Sequence, residues 1–169
     1  MPNSSSLTYA VTATFTEILA AAQAPGATSE AARTVTQAGF NTGQRILKSD
    51  SSPPVTGGAL FRQALTDGAA TIDLTALDGL NDKVVNGTGL RVQLLRIKAP
   101  SSNVNPIAVA KGGSNGYDGF GSAFSVTLHP GAEVTILTND AGSDIGASNK
   151  TLDLTGTGAQ TLDVEILMG

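Results

Sequence analysis

The stretch Thr161-Leu162-Asp163-Val164-Glu165-Ile166-Leu167 alternates polar and apolar residues one for one up to Ile166. Successive side chains of a strand point to opposite faces, so Leu162, Val164 and Ile166 share one face while Thr161, Asp163 and Glu165 share the other. A helix would scatter the same residues around its circumference. The reading is a strand with one face in a core and the other in water or against a partner. The alternation recurs in Thr151-Leu152-Asp153-Leu154-Thr155, in residues 133–138, in Ser125-Val126-Thr127-Leu128, in residues 90–97 and in Thr71-Ile72-Asp73-Leu74-Thr75-Ala76-Leu77. In the last of these Ile72, Leu74 and Leu77 are expected in the core.

Turn residues punctuate these segments. His129-Pro130-Gly131 fits a tight hairpin turn, because Pro presets one backbone angle and Gly accepts the positive φ that follows. Gly156-Thr157-Gly158 is expected to join the last two strands as a hairpin. Short strands separated by Gly, Pro and Asn clusters predict an all-β chain: a single jelly-roll-like β-sandwich of about eight short antiparallel strands over residues 59–169. A Thr-x-Asp pattern at residues 71–73, 151–153 and 161–163 has spacings of 80 and then 10, which is no repeat period. It reads as strand chemistry, with Thr and Asp on a wet face.

Residues 1–58 read as an N-terminal strand and extended arm. Residues 8–15 can form a strand, and Glu17-Ile18-Leu19-Ala20-Ala21-Ala22-Gln23 has the composition of a short helix ended by Pro25-Gly26. From residue 26 to 58 the chain is rich in Ala, Thr, Ser, Gly and Gln, with isolated anchors at Val35, Phe40, Ile46 and Leu47. Such sparse anchors cannot make a separate core, but they can dock one at a time on a neighbouring surface.

Composition removes several chemistries. The 169 residues include no Cys, no Trp and one His, so thiolate metal sites, disulfides, a cysteine nucleophile and a multi-histidine metal site within one chain are excluded. Ten basic residues against 14 acidic ones give a net charge of −4, with Lys and Arg scattered, which argues against nucleic acid as a partner. No apolar run reaches the length of a membrane span, and Met1 to Ser6 lacks the features of a secretory signal, so the expectation is a soluble chain without a membrane partner. Only 14 % of residues are charged, whereas an average domain carries about a quarter, so much of the surface must be Thr, Ser, Asn and Gly.

Candidate catalytic groups give no constellation. His129 sits in a turn sequence, and no Gly-x-Ser-x-Gly elbow accompanies it. A glycosidase carboxylate pair would want aromatic platforms, and the chain offers only Tyr9 and Tyr117 besides its Phe residues. The glycine-rich residues 112–122 depart from both phosphate-loop patterns, with Phe124 where the third Gly of Gly-x-Gly-x-x-Gly belongs. They read as a glycine-supported surface loop in which Tyr117, Phe120 and Phe124 pack back onto the sandwich or across a subunit boundary. Residues 139–144 and the Asp78, Asn81, Asp82 cluster lack the spacing of an EF-hand, and turn chemistry explains them. Asn86-Gly87-Thr88 fits a glycosylation sequon formally and reads as a turn. No catalytic residue, metal or cofactor is expected.

The order of these segments carries a resemblance. Residues 71–77 and 90–97, then Ala108-Val109-Ala110-Lys111-Gly112-Gly113-Ser114-Asn115, Leu128-His129-Pro130-Gly131-Ala132-Glu133-Val134, Lys150-Thr151-Leu152-Asp153-Leu154 and residues 162–169 together resemble small β-rich virion structural proteins of tailed bacteriophages. The likeness covers residues 59–169 and rests on strand and turn patterns. It implies a non-enzymatic capsid decoration or cement protein that binds the outside of the head and bridges subunits of the major capsid protein. A homotrimer on a symmetry axis, made in the host cytoplasm, is the implied form. The alternative is a tail, baseplate or head-fibre protein that binds a receptor. The residues expected to contact a partner are Phe15, Val35, Phe40, Ile46, Leu47, Tyr117 and Phe120.

Overall fold

The computed structural model describes residues 7–11, 14–19, 31–36, 42–47, 49–50, 52–79, 83–138 and 142–169, and among them there is no helix. The chain divides into two compact units, Ser6–Leu47 and, from Lys48 onward, the remainder to Gly169.

The first unit holds β1 (Leu7–Val11), β2 (Thr14–Leu19), β3 (Ala31–Thr36) and β4 (Thr42–Leu47). β2 pairs antiparallel with β3, and β1 with β4. The helix expected at residues 17–23 is corrected where it is described: Glu17, Ile18 and Leu19 are strand residues opposite Arg33, Ala32 and Ala31. Helix propensity is a weak preference, and a two-turn helix gains less than a ladder that satisfies every second backbone group across a partner strand. Within the stretch read as an N-terminal strand and arm, residues 31–36 and 42–47 are paired strands. Phe40 lies outside the described residues.

The second unit contains β5 (Gly57–Leu65), β6 (Ala69–Asp73), β7 (Leu77–Asp78), β8 (Val84–Val85), β9 (Val92–Lys98), β10 (Ile107–Lys111), β11 (Ser125–Leu128), β12 (Glu133–Leu137), β13 (Thr151–Thr155) and β14 (Gln160–Met168). Eight of these form two antiparallel four-stranded sheets, ordered β12-β9-β14-β5 and β11-β10-β13-β6, while β7 and β8 pair with each other. The result is a jelly-roll-like sandwich of two sheets.

Alternation decides what enters the core. Ile72, Ile107, Val109, Leu128, Leu152 and Leu154 from one sheet meet Ala59, Leu65, Leu95, Ile97, Leu162, Val164 and Ile166 from the other in one buried cluster. Leu74 joins it, as its spacing from Ile72 predicts, and so does Leu77, which is carried by β7. One register irregularity pairs Leu167 with Leu94 but Met168 with Val92, which leaves Gln93 as an extra residue in β9.

Two turns behave differently from expectation. Residues 129–131 do form a tight turn, with Ala132 N donating to His129 O at 2.8 Å and Gly131 at a φ of 83°. The strands it joins, β11 and β12, however, lie in different sheets. The same holds for Gly156-Thr157-Gly158, which passes the chain from β13 to β14 across the sandwich. Neither is a β-hairpin. The connection between β10 and β11 is the one long hairpin of the sandwich sheets, and its loop is residues 112–124.

Candidate docking faces

The strand register sorts the outward side chains into rungs that run across each sheet. On the β11-β10-β13-β6 sheet one rung reads Ala69, Thr155, Ala108, Thr127 and the next reads Thr71, Asp153, Ala110, Ser125. Every side chain is small, and one of the eight is charged. Asp153 is held within the face: Thr71 Oγ1 donates to its Oδ1 at 2.9 Å, and Gly113 N donates to its Oδ2 at 2.7 Å. A shallow depression of about 350 Å³ lies here, lined by Ala69, Ala70, Thr71, Asp153, Leu154 and Thr155. At the margin Lys150 Nζ meets Asp73 Oδ2 at 2.6 Å. Thr151, expected on the wet face with the other Thr residues, is instead buried under the 112–117 loop, its hydroxyl donating to Ser114 O.

The outward face of the β12-β9-β14-β5 sheet is graded. One rung is Arg62, Asp163, Lys98, Glu133, the next is Leu60, Glu165, Arg96, Thr135, and the third is Gly58, Leu167, Leu94, Leu137. Arg62 grips Asp163 through Nε at 2.6 Å and Nη2 at 3.2 Å. Arg96 grips Glu133 through Nε at 2.7 Å and Nη2 at 3.2 Å, and its Nη1 reaches Glu165 at 3.3 Å. The guanidinium groups hold the Asp163 and Glu133 carboxyls below the usual carboxylate range, and the Glu133 and Glu165 carboxylates push the Arg96 pKa up. A depression of about 500 Å³ lies over these two rungs. In the third rung the two central residues are closed to water, Leu94 at 0 % and Leu167 at 6 % exposure. The segment before β5 comes to this end of the sheet, where Pro54 O accepts from Gln93 Nε2 at 2.8 Å.

The 112–124 loop is fastened rather than free. Tyr117 is fully buried, its hydroxyl donating to Ser143 O at 3.0 Å and accepting from Val92 N at 3.2 Å, and burial pushes its pKa up. Phe120 packs edge-on against it with ring centres 5.3 Å apart, and Phe124 lies 5.0 Å from Phe120. Of the residues expected to contact a partner, Tyr117 packs its ring into the core. Leu47 is likewise buried at 2 % exposure. Phe120 keeps part of its surface. Phe15 and Val35 are register partners in the β2–β3 pair, and Ile46 stands opposite Thr8. The two sheet faces were missed as sites, although the period-2 pattern already assigned most of their residues to one side.

His129 is exposed at its turn. Among the described residues no group of three His, Cys, Asp or Glu is placed to hold a metal ion. No protein family, curated protein or solved structure matches the chain.

Proposed function

We propose that the chain is a non-enzymatic bacteriophage virion protein, a capsid decoration or cement protein that bridges major capsid subunits. The observation that carries the reading is the face of small side chains in rungs Ala69, Thr155, Ala108, Thr127 and Thr71, Asp153, Ala110, Ser125. A surface of small, nearly uncharged side chains gives up little hydration when another protein covers it, whereas unpaired Lys or Glu would carry a desolvation cost. Each such contact is weak. Repetition around a symmetry axis, as in a homotrimer, turns weak contacts into tight attachment through effective concentration.

The test is binding of the purified protein to capsids stripped of decoration, followed by thermal release of packaged DNA. Ala108→Arg is expected to abolish capsid binding while leaving the fold intact by circular dichroism, and Arg96→Gln on the opposite face to leave binding unchanged. Binding that survives Ala108→Arg and is lost with Arg96→Gln would reverse the assignment of faces, and absence of binding by the unaltered protein would sink the role.

A second reading, a tail, baseplate or head-fibre protein with a receptor, is favoured by the 112–124 loop, which exposes residues 113–115 and 121–123 at one end of the sandwich. Cell binding lost on altering Ser122 and Ala123, with capsid binding absent, selects it.

A further inference from the structure

Two Asn-Gly pairs occur among the described residues, and their surroundings differ in the one respect that governs their chemistry. We infer that Asn115 is a site of spontaneous covalent modification, converting through a cyclic imide to aspartate and isoaspartate, while Asn86 is protected by the fold. In this reaction the Gly116 amide nitrogen loses its proton to solvent base and attacks Asn115 Cγ. The bond from Cγ to the side-chain nitrogen breaks and ammonia leaves. Water then opens the ring at either carbonyl, and nothing is oxidised or reduced.

The sequence at 115–116 is what the loop geometry demands. Asn115 has a φ of 53°, a left-handed conformation in which Asn is among the few tolerated residues with a side chain. A Cβ on residue 116 would collide with Gly112 O and lie 2.6 Å from Lys111 Cγ, so only Gly fits. Backbone sterics thus require Gly at 116 and favour Asn at 115, and with them the pairing in which an unhindered amide follows a side-chain amide. Asn115 is exposed, and among the described residues neither its side chain nor Gly116 N has a hydrogen-bond partner. At the other pair both reacting groups are occupied. Asn86 Oδ1 accepts from Thr88 N at 2.9 Å, and Gly87 N donates to Leu74 O at 3.0 Å in a buried position.

The product reaches the sandwich. Asn115 O accepts from Lys150 N at 2.7 Å and Thr151 N at 3.0 Å, which fastens the 112–117 loop to the start of β13. Isoaspartate adds a methylene to the main chain and moves that carbonyl off both donors. Either product adds a negative charge to the loop that carries Asp118.

The test is ageing of the folded protein at mildly alkaline pH, with peptide mapping by mass spectrometry and labelling of isoaspartate by its methyltransferase. The expected result is a one-dalton gain at Asn115 running at least about tenfold ahead of Asn86, the scale set by the two hydrogen bonds that Asn86 and Gly87 must release. In urea the two rates should converge, and Asn115→Gly, which suits the left-handed backbone, should remove the early ammonia release. Equal rates in the folded protein, a ratio unchanged by urea, or reaction at Asn115 only after unfolding would each overturn the inference.

Discussion

Tyr117 shows how one side chain can fix a loop by both of its ends. The ring is buried beside Phe120, and the hydroxyl closes two hydrogen bonds to backbone groups of distant segments, Val92 N and Ser143 O. Tyr117→Phe keeps the ring and orphans both backbone groups, so an expected loss of about 1–3 kcal/mol should appear in the urea midpoint. A loss near zero would mean that water replaces the hydroxyl. The surface arginines present the opposite case. Arg62 and Arg96 have well-formed bidentate bonds, yet exposed pairs of this kind, screened by water and salt, add little to stability.

At the scale of elements, β14 is the strand that its own alternation defined most clearly, and it lies between β9 and β5 in the middle of its sheet. Its apolar face is buried throughout: Leu162 and Ile166 are at 0 % and Val164 at 1 %. Ile166→Ala is expected to cost about 2–5 kcal/mol, and Val126→Ala on edge strand β11, where the side chain is half-buried, distinctly less. Equal costs in equilibrium unfolding would contradict the register. The burial of Ile72 and Leu74 was legible in the sequence because period 2 is a local property, whereas Leu77, three residues on, is buried from a separate short strand, β7. The partner of each strand was not. Gly156-Thr157-Gly158 and His129-Pro130-Gly131 specify a reversal, but a reversal is compatible with pairing to the preceding strand or with crossing to the facing sheet, and long-range packing chooses. Glu17 to Leu19 failed for a related reason, since their composition favours a helix and their partners Ala31 to Arg33 lie beyond any local window. The charge on one outer face and its near absence from the other were legible residue by residue but became faces only once the register was known.

For the whole molecule, pH sensitivity follows from the direction of the shifted groups. Arg62 and Arg96 hold Asp163 and Glu133 below their ordinary values; at Asp73 partial burial pushes the carboxyl up, but hydrogen bonds from Lys150 and Thr75 outweigh it and the net shift is also downward. A depressed folded value means that the unfolded chain takes up protons first on acidification. Stability is therefore full above about pH 5 and declines as the pH falls through the unfolded carboxyl values near 4 and on through the lower folded values. Tyr117 is raised, so its contribution is full below its unfolded value near 10 and is lost as the pH rises through the folded one. Urea midpoints against pH should form a plateau with two descending flanks, and Tyr117→Phe should flatten the alkaline flank. A midpoint that rises on acidification would contradict the ion-pair geometry.

The central place of β14 also sets when the sandwich can form. Strands β5 and β9 do not pair with each other; both pair with residues 160–168, more than 60 positions beyond the end of β9. During synthesis the two flanking strands therefore emerge with open edges and wait, their apolar faces available to other chains, until that last strand leaves the ribosome and slides between them. Closure of such distant pairs is slow compared with local structure. The order of the chain thus makes this a sheet that closes only once residues 160–168 have been synthesised, with an interval before closure in which chaperones have a substrate.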